Sequence, residues 1–243
     1  MAGLVWLTIE GAAEMGYNWQ WYQIPRYFYR VIDEELIWGP LATGLVITIE
    51  ISLYSMLLTL ALGLLTALLR MSNSLSGQVL ARVYLETIRN TPMLVQIYVF
   101  YFVIAPVLGI DRFWTGVLCL GLFEGSFASE IIRAGINSVP RGQWEAASSV
   151  GLSRSASYRY VVLPQAIPLM LPPMTGVLIN LIKHSAIVSV IAVFELTTEG
   201  RNIIADTYMA FEVWLTVAGI YLVLTVSLSI FVGHLERRLR QPT

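Results

Sequence analysis

Residues 145–164 read Glu145-Ala146-Ala147-Ser148-Ser149-Val150-Gly151-Leu152-Ser153-Arg154-Ser155-Ala156-Ser157-Tyr158-Arg159-Tyr160-Val161-Val162-Leu163-Pro164. Upstream, Ser138 is a candidate helix cap and Pro140 suits a first turn. From Arg141 to Val150 only Gly142 opposes helix. Gly151 fits the position after a helix end, where the backbone turns left-handed. Ser153 can cap a second short helix, which Leu163-Pro164 should end. The local reading is helix, glycine elbow, helix. Small side chains on the first helix (Ala146, Ala147, Ser148, Ser149) let another surface approach its backbone. Soluble DNA-binding hairpins share this outline, but this one sits between long apolar segments.

Composition decides the solvent. The 243 residues are 56% hydrophobic and 13% charged, about half the charge of a soluble domain. Net charge is -1, so bulk attraction to nucleic acid is not implied. One cysteine, Cys119, excludes an intramolecular disulfide; its apolar surroundings suggest a core or lipid-facing role. His184 and His234 are far apart and no metal is assigned. No phosphate-cradling glycine loop of the Walker kind is present.

Five apolar segments can each span a bilayer core of about 30 Å: Leu41–Leu69, Thr91–Leu108, Phe113–Ile132, Ile167–Val193 and Val213–Val232. The fourth carries Pro168, Pro172 and Pro173 and should break near its start. Residues 1–38 form a separate segment with Trp6, Trp19, Trp21 and Trp38, suited to the membrane interface. A short surface helix over Ile24–Leu36 is expected there, and a positive leader region is lacking at the start. Arginines orient the spans. Arg70, Arg82 and Arg89 follow the first span; Arg133, Arg141, Arg154 and Arg159 follow the third; Arg237, Arg238 and Arg240 follow the fifth. The other connections hold Asp33, Glu34, Glu35, Asp111, Glu195, Glu199, Asp206 and Glu212, with only Arg26, Arg30, Arg112 and Arg201. The positive-inside rule therefore places the N-terminus outside, the C-terminus inside, and the hairpin in the cytoplasm. The spans do not divide into two matching halves, which weighs against an inverted-repeat transporter and favours a path at a two-fold interface with a second subunit.

The spacing Glu145-Ala146-Ala147, Gly151, Val161, Leu163-Pro164 resembles the cytoplasmic signature of permease subunits of ATP-binding-cassette importers; Val161 stands where that family often has isoleucine. Arg89-Asn90-Thr91-Pro92-Met93-Leu94-Val95-Gln96, Ala128 to Ile136, and Pro164-Gln165-Ala166 are similar to the polar amino acid branch, and the likeness runs from about Gly39 onward. It implies an all-α integral membrane protein with five transmembrane helices and a coupling-helix hairpin at about residues 137–165, of the type I importer kind. Residues 39–243 would be the transmembrane domain. Arg141, Glu145, Ala146, Ala147, Ser148, Gly151 and Leu152 would dock the ATPase. The implied partners are two ABC ATPase subunits, a second permease (identical or paralogous), a periplasmic amino-acid-binding protein and membrane lipid, with no nucleic acid. This chain would hold no cofactor, ATP and Mg belonging to the ATPase, and would do no covalent chemistry itself. The implied location is the bacterial inner membrane.

Ionisable groups inside spans are costly and point to function. Glu50, Glu124, Glu130, Lys183 and His184 are such groups, and Lys183 is the only lysine. Glu124 and Glu130, six apart, point about 120° from each other on a helix. Glu130 suits an i+3 pair with Arg133, whereas Glu124 should face a pathway or a buried partner. Lys183 could answer a substrate carboxylate, Glu124 or Glu50. Gln96 is either a pathway wall or a helix–helix hydrogen bond. Ser126, His184 and Ser185 complete the candidate pathway set; the branch often has an acid or amide where His184 stands. The competing reading is an ATP-independent channel or scaffold whose hairpin docks another partner.

Overall fold

The computed structural model describes residues 16–239, together with Gly3, Trp6 and Gly11; for residues 235–239 it describes the backbone alone. A 3-10 turn (Trp21–Tyr27) leads into a hairpin of β1 (Tyr29–Ile32) and β2 (Glu35–Trp38). The expected helix over Ile24–Leu36 is therefore absent. Pro25 lacks a donor, Tyr29-Arg30-Val31-Ile32 favours extended backbone, and Asp33 and Glu34 turn the chain with φ of 51° and 65°. Tyr29 pairs with Trp38 and Val31 with Leu36.

The helices follow as α1 (Pro40–Met71), α2 (Leu75–Arg89), α3 (Met93–Leu108), α4 (Arg112–Asn137), α5 (Arg141–Ser149), α6 (Arg154–Ile191), α7 (Leu196–Thr207) and α8 (Ala210–Leu239). α1, α4, α6 and α8 are each long and apolar enough to cross a membrane. α2 and α3, which bend by 106° at Asn90–Pro92, are long and apolar enough only when taken together, as a broken span or a re-entrant pair. The five expected segments thus all fall on helices. α6 departs from expectation in two ways. It does not stop at Leu163-Pro164, because a π turn over Tyr158–Val162 carries the helix past Pro164, which lands at the start of the next α-helical stretch. Nor does it break at Pro168, Pro172 or Pro173, which lie inside Leu163–His184. Helices in a bilayer tolerate such prolines because neighbours and local adjustments satisfy the freed carbonyls.

α4 is the centre of the bundle: two thirds of its most apolar stretch is buried (67%), against 6% for α8. Its main partner is α1. Lipid is as apolar as leucine, so helices associate here by close contact of small residues. α1 buries Thr48, Ser52, Ser55, Thr59, Gly63 and Thr66 at helical spacing. Opposite them, a Cβ added at Gly121 would lie 2.6 Å from Leu58 Cδ2, and one at Gly63 would lie 2.9 Å from Ala128 Cβ. Cys119 is fully buried among Ile51, Ile97, Leu120, Leu181 and Val188.

Glu50 is exposed, about three turns after the start of α1. The nineteen uncharged residues between Glu50 and Arg70 span roughly 29 Å, close to the bilayer's hydrocarbon thickness of about 30 Å. The first turns of α1 pack on α7 through Leu41 and Leu196. Glu195 caps α7, accepting from Thr197 N and Thr198 N at 2.7 Å each and from the Tyr221 hydroxyl at 2.9 Å. Burial pushes the Glu195 carboxyl up, opposed by these bonds. Glu212, also fully buried, accepts from the Tyr17 hydroxyl and from Gln20 N and so ties the N-terminal segment to α8. Arg237 and Arg238 lie in the last described turn of α8, and Arg240 lies outside the described residues.

Candidate functional site

The first element is the hairpin of α5 and the start of α6. Pro140, not Ser138, precedes the first helical residue; Ser138 instead closes α4, its hydroxyl donating to Gly135 O at 2.7 Å. The C-terminal end is a Schellman cap. Gly151 has φ +80°, Gly151 N donates to Ser148 O at 3.0 Å, and Leu152 N donates to Ala147 O at 3.1 Å. Ser153 caps the next helix by accepting from Ala156 N at 3.3 Å. The Trp144 and Tyr158 rings meet edge-to-face at 5.0 Å and hold the two arms together. Arg141, Glu145, Ala146, Ser148 and Gly151 are exposed, Leu152 is half-buried, and Ala147 is buried. Ala147 therefore sits at the packed side of α5 rather than on its outer face, one turn from Trp144.

The second element is a groove between α4 and α6, lined by Phe123, Glu124, Phe127, Gly176, Asn180 and His184. Glu124 is 2% exposed, and its Oε1 lies 2.8 Å from His184 Nδ1. An ionised carboxylate only accepts, so Nδ1 carries the proton in that state. Among the described residues Glu124 Oε2 takes part in no hydrogen bond. His184 also stands edge-on to Phe123, centroids 5.9 Å apart.

The remaining pathway candidates divide differently. Lys183 is exposed one position from His184 and, among the described residues, forms no ion pair with Glu124 or Glu50. Consecutive helical residues point about 100° apart, so only one of the two can meet Glu124. Gln96 is buried and joins the α2–α3 bend, its Nε2 donating to Ile88 O and Thr91 O at 2.8 Å each. These are helix–helix hydrogen bonds, and Gln96 is not among the residues that line this groove. Ser126 donates to Phe123 O at 2.8 Å and Ser185 to Ile182 O at 2.7 Å; both are fully buried within their own helices. Asn180, Gly176 and Phe127 were missed as groove residues. Counting back from His184 by helical steps of four gives Asn180 and Gly176, which was the available signal.

Glu130 points away from the groove, as the six-residue spacing demands. It receives Arg133 through Nε and Nη2 at 2.9 and 2.8 Å, it pairs with Arg70, and Arg89 Nη1 stands 3.5 Å away. Among the described residues no cluster of three His, Cys, Asp or Glu side chains could hold a metal ion.

Residues 59–241 match the model of the family described as binding-protein-dependent transport system inner membrane component. The chain is 40% identical over 181 residues to a probable glutamine ABC transporter permease protein of Bacillus subtilis, covering 74% of this chain and 84% of that one. It is 37% identical over 214 residues to a glutamine transport system permease protein of Escherichia coli K12, covering 86% and 98% respectively. Its fold is similar to the crystal structure of an amino acid ABC transporter with histidines, at TM-score 0.75 and 37% identity, over 82% of this chain and 94% of that one.

Proposed function

This chain belongs to the binding-protein-dependent transport system inner membrane components, and from that premise we propose that it is the permease subunit of an ATP-driven importer of glutamine-like polar amino acids. As a member of that family it is a multi-pass inner membrane protein and a transport subunit, not an enzyme. The observation that carries the proposal is the capped hairpin: a rigid two-armed element presenting Arg141, Glu145, Ala146 and Ser148 at the arginine-rich end of the bundle.

In this reading two ATPase subunits hold ATP and magnesium, and α5 seats on one of them. ATP-driven closure of the ATPase pair moves α5, and α6 follows because the capped Gly151 elbow and the Trp144–Tyr158 contact couple the two arms, while the π turn carries α6 on without a break. The groove then alternates between the two sides of the membrane. Loaded binding protein delivers substrate from outside, at the end bearing α7. The second wall of the path is a partner permease, a second copy or a paralogue. Glu124 Oε2 offers an acceptor to the substrate ammonium, while Asn180 and His184 suit a polar side chain. Lys183, exposed on the same helix, offers an ammonium to the substrate carboxylate. The arginine asymmetry and the likeness of Glu145 to Pro164 to the cytoplasmic signature of importer permeases support the cytoplasmic placement of the hairpin.

Reconstitution tests this. The permease, its ATPase and its binding protein in liposomes should accumulate glutamine only with ATP inside and loaded binding protein outside. Glutamine flux without ATP would instead establish a channel.

A further inference from the structure

A second polar site lies at the arginine-rich end, away from the groove. Its walls include Arg70, Gln78, Arg82, Glu86, Arg89 and Glu130, contributed by α1, α2 and α4. The carboxylates there are already engaged. Glu130 is held by Arg70 and Arg133, and Glu86 Oε2 accepts from Asn90 Nδ2 at 2.9 Å. Arg89 donates to Ser126 O and lies over the Phe127 ring, its Cζ 5.3 Å from the centroid. Arg82 is exposed and, among the described residues, has no ion pair. Arg70 and Arg89 both face the Glu130 carboxylate, Arg89 Nη1 at 3.5 Å, so of the three guanidiniums in the pocket Arg82 is the one left open to an anion, with the other two beside it.

The surroundings specify which anion. α2 buries Gly77, Ala81, Leu85 and Ile88 against the bundle. Next to the polar wall, a third side of α2 exposes Val79, Leu80 and Val83, at 51%, 62% and 58%. A soluble anion gains nothing from that apolar strip; acyl chains do. Depth agrees. Arg70 marks the end of the uncharged stretch of α1, hence the border of the hydrocarbon layer. The 106° bend sets α2 steeply across α3, as expected of an amphipathic helix lying in the interface.

We propose that this pocket binds the phosphate of an anionic glycerophospholipid, with Arg82 as the main ligand, Arg70 and Arg89 beside it, and the acyl chains along Val79, Leu80 and Val83. Basic pockets between spans at this level are suited to such headgroups. The inference rests on the membrane placement of α1 and not on what the groove carries, so failure of one leaves the other standing.

The test is native mass spectrometry of the intact permease–ATPase complex with added phosphatidylglycerol or phosphatidylcholine. Retention of phosphatidylglycerol should exceed that of phosphatidylcholine, and Arg82→Gln should lower it about five-fold. Arg112→Gln, at the opposite end over Phe194, should leave it unchanged. Inorganic phosphate at equal concentration should not compete. Arg82 is exposed, so its loss does not threaten folding. Equal retention of the two lipids, or no effect of Arg82→Gln, overturns the site. Displacement by inorganic phosphate overturns the lipid assignment in favour of a free anion.

Discussion

Gly151 isolates a backbone effect, because a Cβ added there meets nothing within 4 Å. The cost of substitution is then conformational alone. At φ +80° an alanine loses about 1–2 kcal/mol, of which about 0.4–1 is returned by the lower entropy of the unfolded chain. Valine, β-branched, loses up to about 3 kcal/mol. Asparagine visits this region readily and loses least. Each 1.4 kcal/mol is a factor of ten, so valine should depopulate the capped hairpin by one to two orders of magnitude and alanine by a few-fold. The order expected is Gly151, then Asn, Ala and Val. Gly142, also with nothing within 4 Å of an added Cβ but inside α5, provides the control: Gly142→Ala should be neutral or mildly stabilising. The assay is glutamine taken up per ATP hydrolysed in liposomes, with hydrogen exchange of Gly151 and Leu152 amides as the local readout. Both amides are bonded in the cap, so exchange should accelerate in the same order. If Val exchanges and transports like wild type, or Asn is as damaging as Val, the argument from left-handed backbone is wrong.

Other expectations follow from specific contacts. His184→Leu strands a carboxylate that is 2% exposed. Breaking a buried pair costs about 3–5 kcal/mol, at the low end here because the His184 side chain is 32% exposed; Glu124→Gln should be milder in thermal unfolding yet still reduce uptake, and normal uptake in Glu124→Gln would remove it from the pathway. Gly121→Ala places Cβ 2.6 Å from Leu58 Cδ2 and should destabilise α1–α4 packing by about 1–3 kcal/mol, relieved in part by Leu58→Ala; additive unfolding effects of the two would contradict direct contact. Burial raises the Glu195 carboxyl. A raised acid pKa means the folded chain binds more protons, so this contribution to stability is complete below the unfolded value near 4.3 and fades as pH climbs through the folded one. Glu195→Gln keeps an acceptor for the cap and should flatten that part of the Tm–pH curve; an unchanged slope would assign it elsewhere. Finally, single cysteines at Ser148 and Asp206 in a Cys119→Ser background should react with an impermeant reagent from opposite sides only, and labelling of position 148 from outside intact cells would reverse the orientation.

What could be read without coordinates was whatever depends on local chain chemistry. Apolar length located the four long spans and the α3 segment, because a bilayer of fixed thickness demands about 20 apolar residues of helix. Gly151 and Ser153 announced the elbow, because left-handed backbone and an unpaired helix N-terminus each select few side chains. The opposed directions of Glu124 and Glu130 followed from helical pitch alone.

The β1–β2 hairpin escaped because Asp33-Glu34 is an uncommon pair for a turn with two positive φ values, and the π turn escaped because Pro164 ordinarily signals a stop. The partners of buried polar groups were decided only by tertiary structure. Nothing local distinguishes Lys183 from His184 as the group that meets Glu124. That choice depends on the rotation of α6 against α4, set by how Leu181 and Val177 pack. Likewise Gln96, Ser126 and Ser185 were legible as polar residues in apolar spans, but whether they face a path or a carbonyl depends on which face each helix turns inward. Helix rotation is fixed by close packing of small residues over the whole interface, Thr48 to Thr66 against Gly116 to Ala128, and no single stretch of the chain contains that information.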